Sequence, residues 1–86
     1  MEGEKKKVGI ITHYYKKISV AIVELEDTLN KGDSIEIAGP TTHIEQTVES
    51  MQIEHEDVAS ANKGQSIGLR VPEPVREKDV VYKLMM

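Results

Sequence analysis

"TTHIEQTVESMQIEHEDVASANKG", residues 41–64, decides between an all-β chain and one that carries a helix. Ile44, Val48, Met51 and Val58 recur at helical spacing, and Thr42 with Glu45 makes the T-x-x-E pattern that caps a helix N-terminus. Periodicity taken alone predicts a helix. Read as strand, the same residues require a change of face between Val48 and Met51, of the kind a bulge near Ser50 supplies.

Outside this stretch the pattern is β. Nine valines and nine isoleucines stand against four leucines, with no Phe or Trp, and side chains branched at Cβ suit a pleated sheet. "VGIITHYY" (8–15) and "ISVAIVELE" (18–26) read as two strands joined by a tight turn near Lys16, apolar on much of both faces. "DSIEIAG" (33–39) alternates, with Ile35 and Ile37 inward, and Gly39-Pro40 ends it. "GQSIGLRV" (64–71) and "DVVYKLM" (79–85) alternate again. The expected interior is Val8, Ile10, Val20, Ile22, Ile35, Ile37, Val48, Ile67, Leu69 and Val80. Residues 1–7, polar and lysine-rich, are expected to be a flexible terminus ahead of one domain at 8–84.

Composition narrows the chemistry. A chain of 86 residues allows one domain, well short of the roughly 150 residues a nucleotide-binding α/β domain takes. With no cysteine there is no disulfide, thiolate metal site or thiol nucleophile, which fits a cytoplasmic setting. A net charge of −4 argues against a general nucleic-acid coat. No apolar run approaches a membrane span. Asn30-Lys31-Gly32-Asp33 spells the N-K-x-D guanine signature, but no G-x-x-x-x-G-K-[ST] phosphate loop accompanies it, so the four residues read as a turn and GTP is not expected. His43 and His55 stand among Glu45, Glu54, Glu56 and Asp57 without metal-ligand spacing, and no serine sits in a G-x-S-x-G elbow. No metal, cofactor or catalytic residue is expected. The surface candidate is the hairpin tip His13, Tyr14, Tyr15, Lys16 and Lys17, where rings beside lysines suit RNA bases and phosphates, or where Tyr14 packs inward and the lysines merely solvate a turn.

The order of motifs brings a family into view. Leu29, Gly32, Asp33, Ile35, Ile37 and Gly39 are followed by Val48, Ser50 and Met51, then by Ala61, Gly64, Gln65, Ile67 and Gly68, and Lys78-Asp79 precedes the last strand. This resembles the second domain of translational GTPases, a β-barrel, and looks like the small free-standing elongation-factor-like proteins; a related barrel is found at the C-terminus of some collagenase-like peptidases. The resemblance implies that the stretch up to Ser50-Met51-Gln52 is strand, not helix, and that the fold is an all-β, closed, six-stranded Greek-key barrel. It marks Gly32, Asp33, Ser50, Met51, Gly64, Gln65 and Gly68 as the structural motif. Where the tRNA-carrying factor has a Glu and an Asn at its aminoacyl site, this chain has Ser50 and Ser66. The resemblance implies a monomeric, non-catalytic translation module that contacts RNA, the ribosome or a translation protein. The alternative is a protein-interaction accessory domain that docks on an enzyme of the collagenase-like peptidase type.

Overall fold

The computed structural model describes residues 4–85. Ten strands run in chain order: β1 (Glu4–Tyr15), β2 (Val20–Leu25), β3 (Leu29–Asn30), β4 (Ser34–Ala38), β5 (His43–Thr47), β6 (Met51–Ile53), β7 (Glu56–Val58), β8 (Ser60–Ala61), β9 (Ser66–Arg70) and β10 (Val80–Met85). Eight form one sheet in the order β5-β4-β10-β1-β2-β9-β6-β7, antiparallel throughout, and β3 pairs with β8 in a small second sheet.

Among the described residues there is no helix. Residues 41–64 are strand and turn, and the helical spacing has a local cause. Ile44 and Val48 point inward, Glu49 and Ser50 both lie exposed, and Met51 points inward again. Two outward residues where a regular strand has one convert a period of two into the i, i+4, i+7 pattern.

The expected closed barrel is not there. The ladder ends at β5 on one side and at β7 on the other, and no ladder joins these edges among the described residues. The chain passes from β5 through Val48–Ser50 into β6, which pairs with the opposite edge strand β7, so both edges of the sheet belong to the one stretch 43–58. Across the remaining gap Gln46 Nε2 donates to the Arg70 carbonyl at 2.9 Å, a side-chain bond where a ladder bond would stand.

Among the described residues seventeen apolar side chains form the core, including Val8, Ile35, Ile37, Val48, Ile67 and Leu69 as expected. Ile10, Val20, Ile22 and Val80 are only half-buried; Ile11, Ala21, Val23 and Val81 take the inward places. Bulges in β1 explain its share of the difference. Lys7 faces Tyr82 and Gly9 faces Val81, so Val8 is an extra residue; Ile11 faces Val23 and His13 faces Ile22, so Thr12 is another. Each insertion shifts the alternation by one. In β2 the inward set Ala21, Val23, Leu25 carries no charge, whereas Val20 and Ile22 continue into Glu24 and Glu26. The segment expected to be flexible is strand from Glu4 onward, where Glu4 to Lys7 pair with Met85 to Tyr82; residues 1–3 lie outside the described residues.

Three turns of one design launch β4, β9 and β10. In Asn30–Asp33, Asn62–Gln65 and Arg76–Asp79 the fourth N–H donates to the first C=O, at 3.1 Å each time. The fourth side chain accepts from the first N–H: Asp33 Oδ2 at 2.8 Å, Gln65 Oε1 at 2.7 Å and Asp79 Oδ2 at 2.9 Å. The third residue sits at positive φ, Gly32 at 95°, Gly64 at 91° and Lys78 at 76°, which is the geometry of a type II turn. Lys78 holds a conformation that glycine adopts without steric cost, so Lys78→Gly is expected to raise stability by up to about 1 kcal/mol. Gly39 is the reverse case. A Cβ there would lie 1.9 Å from the Oδ1 of Asp79, itself 2% exposed. Gly39→Ala is expected to cost about 2–3 kcal/mol by driving that carboxylate off the turn it closes. Urea denaturation of both variants checks the two signs.

Candidate functional site

The bulge at Thr12 divides the hairpin tip between two faces. Tyr14 lies opposite Ala21 and packs against the core. His13 and Tyr15 lie opposite Ile22 and Val20 on the outer face, their rings 4.4 Å apart and edge to face. His13 Nδ1 stands 3.7 Å from Glu77. Lys16 and Lys17 are exposed in the turn that follows, which Ser19 closes at a φ of 57°. Of the five residues His13, Tyr15, Lys16 and Lys17 lie exposed, whereas Tyr14 is partly buried against the core.

Tyr15 instead joins residues that the sequence reading sent inward or left aside. It borders a cleft of about 450 Å³ with Ile18, Val20, Ile22, Gln52, Glu54, His55, Ser66, Ile67 and Gly68. Ile18 is 57% exposed, and Val20 and Ile22 are half-buried beside it. Gly68 forms the floor, since a Cβ there would touch Val20 at 3.4 Å and reach the Gln52 carbonyl at 3.9 Å. Solvent-facing isoleucine, valine and tyrosine gather in one depression, which makes it the candidate surface. The signal in the sequence was the second apolar face of "ISVAIVELE".

The rim of this cleft is strained. Ile53 pairs with Glu56, leaving Glu54 and His55 as a two-residue hairpin loop, and both have positive φ, 51° and 68°. Such loops favour Asn-Gly, because side chains with a Cβ resist that conformation. Here the strained pair puts a carboxylate and an imidazole at the cleft. Of the expected structural motif, Gly68 reaches this cleft; Gly32, Asp33, Gly64 and Gln65 build turns, Met51 is core, and Ser50 lies at the gap between β5 and β9.

One cluster has metal-ligating side chains: Glu36, His43 and Glu45 have ligand atoms within 4.8 Å of one another. Glu36 is already engaged by other side chains. Lys5 Nζ lies 3.1 Å from Glu36 Oε1 and 4.5 Å over the Tyr82 ring, and His43 Nε2 is 2.7 Å from Glu36 Oε2. The hydrogen bond from Lys5 holds the Glu36 carboxyl below the usual range; burial opposes this and His43 adds to it.

The comparisons fall on one side. The family model for the peptidase family U32 C-terminal domain matches residues 4–81. The chain belongs to that family. It is 47% identical over 81 residues to an uncharacterised protease of Methanocaldococcus jannaschii and 42% identical over 82 residues to a collagenase of Porphyromonas gingivalis. The match takes in 93% of this chain but 20% and 23% of those proteins, so the chain spans about a fifth of the length of the curated relatives it matches. The C-terminal domain of a Geobacillus thermoleovorans protein assigned to the U32 peptidases superposes with a TM-score of 0.83 at 22% identity, over 88% of this chain and 89% of that one; its selenomethionine variant gives 0.84 at 20%, over 88% and 96%. These two establish the fold. The resemblance to elongation factors, and the assignment to translation that followed from it, is overturned by the family match. The motifs behind it are the Gly-Asp and Gly-Gln turns, which record how strands are launched rather than what is bound.

Two measurements test this description. Replacing Glu54-His55 by Asn-Gly is expected to stabilise the chain by roughly 1–2 kcal/mol in urea denaturation, since two residues leave a disfavoured conformation. Glu36, with its folded-state pKa lowered, contributes stability that is complete above its unfolded pKa and is lost as pH falls through the folded value. Lys5→Ala is expected to move the Glu36 titration to higher pH, read from its side-chain carboxyl carbon by NMR.

Proposed function

We propose that this chain is a non-catalytic accessory domain of the collagenase-like peptidase type, which docks on a peptidase catalytic unit through the cleft of Tyr15, Ile18, Val20 and Ile22. The observation that carries the reading is the match of one family model to nearly the whole chain, within relatives about five times as long that are named proteases and collagenases. A domain that accompanies a much larger unit needs a surface for it. The apolar outer face supports that role. It exposes isoleucine and tyrosine to water, and a strained turn holds Glu54 and His55 at its rim, where strain persists because surrounding structure or function sustains it. The acidic balance fits a protein partner better than a nucleic acid.

The test is a chimera in which this chain replaces the matching segment of the M. jannaschii relative. With methyl groups labelled, Ile18, Val20 and Ile22 are expected to shift relative to the isolated chain, and Ile22→Lys is expected to return the remaining signals to their free positions. Unchanged methyl signals in the chimera would remove the docking face. The isolated chain is expected to leave gelatin uncut; hydrolysis above background would remove the non-catalytic reading.

A further inference from the structure

The gap between β5 and β9 holds more than a missing ladder. In the β4–β5 ladder Thr42 exchanges bonds with Gly39, and the Val48 N–H donates to Asp33. Alternation in an antiparallel pair then assigns the main chain of residues 42, 44, 46 and 48 to β4 and turns that of His43, Glu45 and Thr47 away from it. β5 is the last strand of its sheet, so these N–H and C=O groups line a free edge. Beside that edge is a second cleft, of about 480 Å³, with Gln46, Thr47, Glu49 and Ser50 on one wall and Arg70, Val71 and Pro72 on the other.

We propose that this seam binds an extended peptide, which adds as a strand to β5. Three observations meet there. The free edge offers the outward N–H and C=O of Glu45 and Thr47, the repeat that an added strand requires. Gln46 spans the gap, its Nε2 satisfied by the Arg70 carbonyl, while its Oε1 is closed to solvent and has no donor among the described residues. A buried acceptor without a donor is the exception in a folded protein, and a turn of the Gln46 side chain out of the gap would present that oxygen to a peptide N–H. Arg70 and Glu49 face the cleft from opposite walls, and neither forms an ion pair among the described residues. The ligand that fits is a peptide in β conformation with an acidic side chain toward Arg70 and a basic one toward Glu49. A proline-rich collagen-like strand lacks the regular N–H groups this edge pairs with, so it is not that ligand. The seam is separate from the Tyr15 face, and the proposal goes beyond the docking role without depending on it.

The experiment is an NMR titration of the isotope-labelled 86-residue chain with a pool of blocked hexapeptides that alternate Val or Thr with Glu or Lys. Shifts are expected at the amides of Glu45 and Thr47, at the Gln46 side-chain amide and at Arg70. Thr47→Pro deletes one outward N–H that the β4 ladder does not use, and is expected to weaken binding at least tenfold with the remaining spectrum intact. If that variant fails to fold, the same peptides N-methylated on alternate amides serve on the unaltered chain and are expected to lose binding to the same degree. Arg70→Ala is expected to weaken binding several-fold. The proposal is overturned by no shift up to millimolar peptide, by shifts confined to Tyr15, Val20 and Ile22, by indifference to both Thr47→Pro and N-methylation, or by equal binding of a Gly-Pro-Pro repeat peptide. Shifts confined to the Tyr15 face would sink this inference while leaving the docking reading standing.

Discussion

The structure depends on a turn in which the fourth residue reaches back to bond the first. Asp33, Gln65 and Asp79 each accept from the N–H three residues earlier while their own N–H closes the turn. A chain of this size has little surface to bury and no cysteine to staple it, so strand direction must be set locally. These turns start β4, β9 and β10. Two of them are also tied to neighbouring strands. Asp33 pairs with Lys83 of β10 at 3.3 Å, both side chains largely withdrawn from solvent, and Asp79 sits so close to Gly39 that no side chain fits there. Register at both ends of the β4–β10 pair is thereby coupled to turn chemistry.

The bulges in β1 are the second constraint. Val8 and Thr12 each add a residue against a neighbouring strand, and the inward face passes from Val8 to Ile11 and then to Tyr14. The two tyrosines at the tip consequently serve different ends. Tyr14 is packing, and Tyr15 lies on the outer face with Val20 and Ile22, which the register of β2 leaves outside. An apolar outer face follows from giving the inward positions of β2 to Ala21, Val23 and Leu25.

Legibility followed local rules closely and failed where a rule was broken by one residue. The strands at 34–38 and 66–70 were readable because they alternate without interruption, and their turns because Gly32 and Gly64 announce positive φ. The turn at Lys78 was found only through its place ahead of the last strand, since lysine carries no such signal. The hairpin at Glu54-His55 was unreadable for the same reason. Ile10 was misplaced by a bulge that no residue type marks. Val20 and Ile22 share their face of β2 with Glu24 and the following Glu26, and that face lies outward. Of the candidate site, Tyr15 was foreseen and its neighbours were not, because a cleft between β2, β6 and β9 depends on pairings remote in sequence.

The same reasoning explains why fold resemblance misled on function. Gly32-Asp33, Met51, Gly64-Gln65 and Gly68 answer demands that a curled antiparallel sheet makes of any sequence: positive φ, a capped N–H, a filled core, a close approach. Residues explained this completely by folding carry no information about a partner. Information about a partner lies in the features that folding does not require. Ile18 spends its side chain in water, Glu54 and His55 hold a turn that Asn-Gly would hold with less strain, and Gln46 keeps a buried oxygen without a donor. Each opposes stability, and they gather at two places, the outer cleft and the β5 seam. In a small domain with a modest core, such departures are what a chain bound at the proposed docking face or the proposed seam would offset.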